Sequence, residues 1–106
     1  MAKEAVDDAD LLALDVELRH LVRRARRQRR GAEGGPAQWQ AWSGTTDEAF
    51  GLVDRIAGTP ALGLDGIAVK IGALRWFLEE TDAILDAKGL RQLRSLDREA
   101  RRLTGR

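Results

Sequence analysis

The stretch GTPALGLDGIAVK, from Gly58 to Lys70, decides the fold, because it is either a nucleotide-binding loop or a joint between two helices. A phosphate loop of the Walker type requires G-x-x-x-x-G-K-[ST], in which the lysine contacts the β- and γ-phosphates and the hydroxyl binds magnesium. Gly58 and Gly63 have that spacing, but Leu64 and Asp65 follow them. A carboxylate here would repel phosphate, and the preceding segment has a helical pattern where a strand is required. We therefore interpret the stretch as a joint between helices.

Helices are predicted on both sides of this joint. Before it, Thr45 and Glu48 have the spacing of a capping box, and the apolar residues that follow recur at helical intervals, which predicts a helix over 46–57. Pro60 prevents that helix from continuing. After the joint, apolar residues at intervals of three and four predict a longer helix over 65–87.

Small residues mark the beginning of this longer helix. Gly66, Ala68 and Gly72 lie within its first turns. Because glycine and alanine occupy little space, we expect a neighbouring backbone to approach the helix closely at these positions.

A long helix is predicted at the N-terminal end of the chain, over 5–30. Its apolar residues step by 3, 4, 3 and 4, which is the spacing of a coiled-coil a/d seam. The seam consists of Leu11, Leu14, Leu18, Leu21 and Ala25. Acidic residues dominate its first half and basic residues its second, the order that the helix dipole favours.

A linker and a two-faced helix complete the predicted layout. Glycines and Pro36 predict a Gly/Pro-rich linker over 31–44, which contains Trp39 and Trp42. At the C-terminal end, a projection at 100° per residue separates a leucine face from an arginine face, which predicts an amphipathic helix over 90–103.

Composition places the chain in the all-α class. It has 106 residues, 43% of them hydrophobic, but only 5% are aromatic and none is tyrosine, which favours leucine-rich helices over strands. We predict one domain, 1–106, folded as an antiparallel helical bundle of three to four helices. There is no cysteine for a disulfide framework, and neither a signal peptide nor a membrane span is predicted, so we expect a cytoplasmic protein.

No catalytic, cofactor-binding or metal-binding residues are predicted. His20 is the only histidine and there is no cysteine, so the usual zinc ligand sets are missing. Glu79 and Glu80 belong to an acidic stretch without the Glu-x-x-His pairs of di-iron bundles, and we interpret it as a ridge that faces solvent or arginines of another helix. We expect no cofactor, and we expect that the protein is not an enzyme.

The arginines allow two interpretations. Seven lie within residues 19–30 and five on one face of the last helix, while the formal net charge of the whole chain is only +1. Solvated faces or ion pairs between helices are favoured for that reason. The alternative is a surface that binds nucleic-acid phosphates. Its candidate residues are Arg23, Arg26, Arg27, Arg30, Arg91, Arg94, Arg98 and Arg101.

The segment from Asp54 to Lys70 also resembles a family motif. It is similar to "DRIAxTPAxxLxGLAxK", which occurs in a family of small all-helical proteobacterial proteins of unknown function. The resemblance implies that the residues after Pro60 begin a long helix. It implies no activity, cofactor or catalytic residue.

These features favour a protein–protein interaction module with a small regulatory or adaptor role. A first helix of about 26 residues would span roughly 39 Å and overhang the second, so its leucine seam is expected to lie partly exposed in a monomer. We therefore expect a homodimer, together with an unidentified protein partner. The residues predicted for such interfaces are Leu11, Leu14, Leu18, Leu21, Trp39, Trp42, Trp76 and Phe77.

Overall fold

The computed structural model describes residues 8–81 and 87–104, and within these ranges it contains four α-helices and no strand. The helices are α1 (Ala9–Gly31), α2 (Pro36–Gly58), α3 (Leu64–Glu80) and α4 (Ala87–Thr104). They pack against one another, so the predicted all-α bundle is confirmed. The first three residues predicted for the first helix, 5–7, and residues 82–86 of the predicted third helix lie outside the described ranges.

Helices α1 and α2 form an antiparallel hairpin joined by a short 3₁₀ turn, Ala32–Gly34. Gly35 follows the turn with a φ of 150°, a conformation that favours glycine, and its carbonyl accepts the hydrogen bond from the Trp39 N–H at 3.0 Å. Pro36 is the first residue of α2. Its lack of an N–H costs no hydrogen bond there, because the N–H groups of the first turn have no partner within the helix. The chain therefore reverses direction within four residues.

The predicted linker over 31–44 is wrong for most of its length, since α2 begins at Pro36 and runs through the region of both tryptophans. The predicted capping box is also wrong. Thr45 lies in the middle of α2, and its hydroxyl donates to the Ala41 carbonyl at 3.1 Å instead of capping a helix start.

The leucine seam of α1 lies in the core. Leu11 is 1% exposed and Leu18 4%, and the seam packs with Leu52 and Ile56 of α2 and Val69 of α3. The expectation that this seam is partly exposed is therefore wrong, because α2 is twice as long as predicted and covers it.

Helices α3 and α4 run antiparallel. Arg75 pairs with Asp97 at 3.0 Å, and Glu79 pairs with Arg94 at 2.8 Å, so rising numbers on one helix meet falling numbers on the other. Ala87, the last residue predicted for the third helix, is instead the first residue of α4. In the described residues α4 makes close backbone contacts with α3 but with neither α1 nor α2. One side of the α3–α4 hairpin is consequently left without a helix over it.

The helices of the described residues include none that is both long and apolar enough to cross a membrane.

Candidate interaction surfaces

One carboxylate connects the joint between α2 and α3 to the start of α1. Asp8 Oδ1 accepts a hydrogen bond from the Leu62 N–H at 2.6 Å, and Asp8 Oδ2 accepts from Gly63 at 3.0 Å and Gly66 at 2.8 Å. The hydrogen bonds, of which the one from Leu62 matters most, lower the pKa of the Asp8 carboxyl below its ordinary value of 3.8, although burial acts in the opposite direction. Asp8, the residue that precedes α1, therefore caps the N-terminus of α3.

The Asp8 carboxylate leaves no space for a side chain at Gly66. A Cβ at Gly66 would lie 2.6 Å from Asp8 Cγ and under 3 Å from both carboxylate oxygens. A Cβ at Gly72 would lie 3.2 Å from Arg101 Nη2. The predicted close approach at these glycines is thus found, but the neighbour is a side chain in both cases, not a backbone.

An apolar surface runs along the uncovered side of the α3–α4 hairpin, and we call it the apolar face. Its exposed members are Leu64 (59% exposed), Ile67 (44%), Leu74 (47%), Leu96 (50%) and Leu103 (65%). Half-buried apolar residues lie between them, namely Ile71, Leu78, Leu93 and Ala100. The core residues of α3 lie on the opposite side of that helix, so the described part of the chain does not cover this face.

Helix geometry places both rows of this face on one side. The contact side of α3 carries Gly72 and Arg75, and that of α4 carries Asp97 and Arg101. At 100° per residue, the apolar row of each helix lies about 100° from its contact side. Because the two helices run in opposite directions, these two rotations about the helix axes have opposite sense in space. Both apolar rows therefore point to the same side of the α3–α4 hairpin.

The residues predicted for interfaces have separate locations. The four α1 leucines predicted for an interface are buried inside the chain, whereas Trp39 is 49% exposed. The Trp42 ring contacts the Trp39 ring at a tilt of 52°, with ring centroids 4.9 Å apart. Trp76 and Phe77 both contact the Phe50 ring, at 5.5 and 5.4 Å.

The aromatic residues border a cleft of about 840 Å³ between α1, α2 and α3. Trp42, Phe50 and Trp76 line it, and the Arg29 guanidinium lies 5.3 Å from the centroid of the Trp42 ring. Thr46 also lines the cleft, and its buried hydroxyl has no hydrogen-bond partner among the described residues. Acidic residues on α2 and α3 lie opposite arginines on α1, so the walls of the cleft carry both negative and positive charges.

The candidate phosphate-binding arginines divide into two groups. Arg94 of α4 pairs with Glu79 of α3 at 2.8 Å, which is an ion pair between helices of the predicted kind, whereas Arg101 pairs with Asp97 of its own helix at 3.2 Å. The remaining arginines are exposed and form no ion pair with the described residues: Arg23, Arg26, Arg27, Arg30, Arg91 and Arg98.

Some arginines from distant parts of the chain line a common groove of about 220 Å³, which we call the arginine groove. They are Arg19, Arg23 and Arg26 of α1, Arg75 of α3 and Arg101 of α4, with Gly72 and Ala73 of α3 between the two walls. Arg19 and Arg75 were not among the predicted residues, because no local pattern distinguishes them from other helix arginines.

The described residues offer no group of three or more His, Cys, Asp or Glu side chains that could hold a metal ion. Comparisons of the chain with protein-family models, curated proteins and solved structures found no match. The surfaces themselves are therefore the basis for a functional proposal.

Proposed function

We propose that the protein is a non-enzymatic helical interaction module that forms a homodimer through the apolar face. The observation that supports this proposal most directly is that two adjacent rows of large aliphatic side chains on the α3–α4 hairpin are exposed in the described structure. Contiguous exposed apolar patches of this kind mark interaction sites in proteins that are otherwise charged at the surface.

The area of the face is adequate for a second copy. Its five exposed large side chains, each about half solvent-accessible, present on the order of 500 Å² of apolar surface. A stable interface buries roughly 800 Å² per partner, and the half-buried residues between the rows and the polar rim add to the total. A homodimer interface is also the class whose composition is most apolar.

A two-fold arrangement suits the hairpin. If the two-fold axis is parallel to the helices, α3 of one copy lies over α4 of the other. Each contact between two residues across the interface then occurs twice.

A dimer of this form presents two copies of the aromatic cleft and of the exposed Trp39. Two linked sites raise the apparent affinity for a partner that has two matching sites. This property fits the small regulatory or adaptor role.

Sedimentation at micromolar concentration tests the proposal. We expect a species of about twice the monomer mass of 11.7 kDa. Leu74→Glu and Leu96→Glu should each give a monomer, since a charge in a desolvated interface is not paired. Val16→Glu is the matched control, because Val16 is 67% exposed on α1, away from the face, and it should leave the dimer unchanged.

Circular dichroism establishes that each variant is still helical. If the unmodified protein gave only an 11.7 kDa species, the homodimer would have to be abandoned. If all three variants remained dimeric, the interface would lie elsewhere on the molecule.

A further inference from the structure

We infer that the arginine groove binds a linear phosphate-bearing anion, either a single-stranded nucleic-acid backbone or a free polyphosphate. The groove brings together guanidinium groups from both ends of the chain, since Arg23 and Arg26 of α1 face Arg101 of α4 across α3. Arginine suits such a ligand because its planar donors bind phosphate oxygens in pairs.

Charges within the groove do not cancel. Asp15 pairs with Arg19 at 3.0 Å, and Asp97 pairs with both Arg75 and Arg101. Arg23 and Arg26 line the same groove and form no ion pair with the described residues. The groove therefore keeps an excess of positive charge.

Asp97 also arranges the groove for binding. It is 4% exposed, and its carboxylate holds Arg75 Nε at 3.0 Å and Arg101 Nε at 3.2 Å. Bonds through Nε leave other N–H donors of Arg101 available to a ligand. Because the two side chains are held in place before binding, less conformational entropy is lost when a phosphate arrives.

The shape of the groove selects the form of the ligand. Helix α4 makes no close backbone contact with α1 within the described residues, which leaves a channel between them with α3 as its floor. Gly72 lies on that floor and adds no side chain. A volume of about 220 Å³ accommodates a phosphate group or a short phosphate chain.

This inference is independent of the proposed dimer. The arginine groove lies between α1 and α4, whereas the apolar face lies on the uncovered side of α3 and α4. A monomeric protein could bind the anion, and a dimer could fail to bind it, so the two proposals can fail separately.

Fluorescence titrations at 50 mM salt test the inference with three probes: tripolyphosphate, a single-stranded oligothymidine and vesicles that contain phosphatidylglycerol. The informative variant is the double substitution Arg23→Gln with Arg26→Gln, at two exposed positions. The matched control is Arg27→Gln with Arg30→Gln, which removes the same charge from the same helix outside the groove.

We expect the groove variant to lose at least tenfold in affinity for the anion and the control to lose less than threefold. For the oligonucleotide, loss of two phosphate contacts should also reduce the salt slope by about 1.4, at roughly 0.7 per contact for single strands. Tighter binding of the oligonucleotide than of tripolyphosphate would identify nucleic acid as the source of the phosphate, and the reverse order would identify free polyphosphate.

Three results would overturn the inference. They are equal losses in the groove variant and the control, no binding of either soluble probe at 50 mM salt, and binding to the vesicles alone. Circular dichroism and a urea midpoint for each variant show whether a lost affinity reflects a lost fold.

Discussion

Substitution of Gly66 by alanine tests the contact that joins α1 to α3. In an ordinary helix position, glycine to alanine raises the free energy of unfolding by about 1 kcal/mol, because alanine has the higher helix propensity. Gly51 is such a position, since a Cβ there meets nothing within 4 Å. We expect Gly51→Ala to stabilise the protein by about that amount.

Gly66→Ala should have the opposite sign. Carbon atoms pack at about 3.5–4.0 Å, so a Cβ at 2.6 Å from Asp8 Cγ would displace the carboxylate by about 1 Å. Such a shift would weaken or break hydrogen bonds that now measure 2.6 to 3.0 Å. Overpacking of this kind costs about 1–3 kcal/mol, and we expect Gly66→Ala to destabilise by that range.

The assay is urea unfolding followed by tryptophan fluorescence, at one fixed protein concentration because any dimer makes stability concentration-dependent. Repeating both substitutions in an Asp8→Ala background isolates the contact. There, Gly66→Ala should become neutral or stabilising, since the obstructing carboxylate is gone. The reasoning is refuted if Gly66→Ala stabilises the unmodified protein as Gly51→Ala does, or if its loss is the same in both backgrounds.

Three further predictions concern stability. The pKa of Asp8 is lowered in the folded state, so its contribution to the free energy of unfolding is complete above the ordinary value of 3.8 and is lost as the pH falls through the lower folded value. The urea midpoint of Asp8→Asn should therefore fall less on acidification than that of the unmodified protein. Parallel pH curves for the two proteins would contradict this. Thr46→Val should stabilise the protein by about 1 kcal/mol, because it removes a buried hydroxyl that has no partner in the described part of the chain. Thr45→Val, which loses a hydrogen bond to the Ala41 carbonyl, should not stabilise it, and equal effects of the two substitutions in chemical denaturation would count against the assignment. Leu11→Ala should cost about 2–5 kcal/mol because Leu11 is 1% exposed in the core, and a loss under 1 kcal/mol in the same assay would show that the site is not packed as described.

The helices with regular apolar spacing could be predicted from the sequence, but the start of α2 could not. Gly35 and Pro36 were interpreted as a break, although proline at the first helical position is equally compatible with a helix start. Gly44 and Gly51 inside α2 further weakened its helical pattern. The outcome depended on the hairpin contact with α1, which is a tertiary effect.

Contacts between residues far apart in the chain also could not be predicted from local sequence patterns. Asp8 and its three backbone partners are 54 to 58 residues apart, so no spacing rule connects them. The same holds for Arg23 and Arg101 in the arginine groove. Local patterns showed which helix faces are charged, but not which of them would meet.

The spacing of apolar residues does not show which helix face is buried and which is exposed. The seam of α1 and the row that includes Ile67 and Leu74 on α3 both step by three and four. Only the packing of α2 against α1 shows that the first is buried, which moves the proposed interface to the second.

Cross-linking of single-cysteine variants tests the proposed homodimer most directly, because the chain has no cysteine of its own. Leu96→Cys places one thiol in the apolar face, and Val16→Cys places one on the exposed side of α1. With a short bismaleimide at micromolar concentration, we predict a covalent dimer for Leu96→Cys and a monomer for Val16→Cys. Equal cross-linking of the two variants, or a monomer for Leu96→Cys, would contradict pairing through the apolar face.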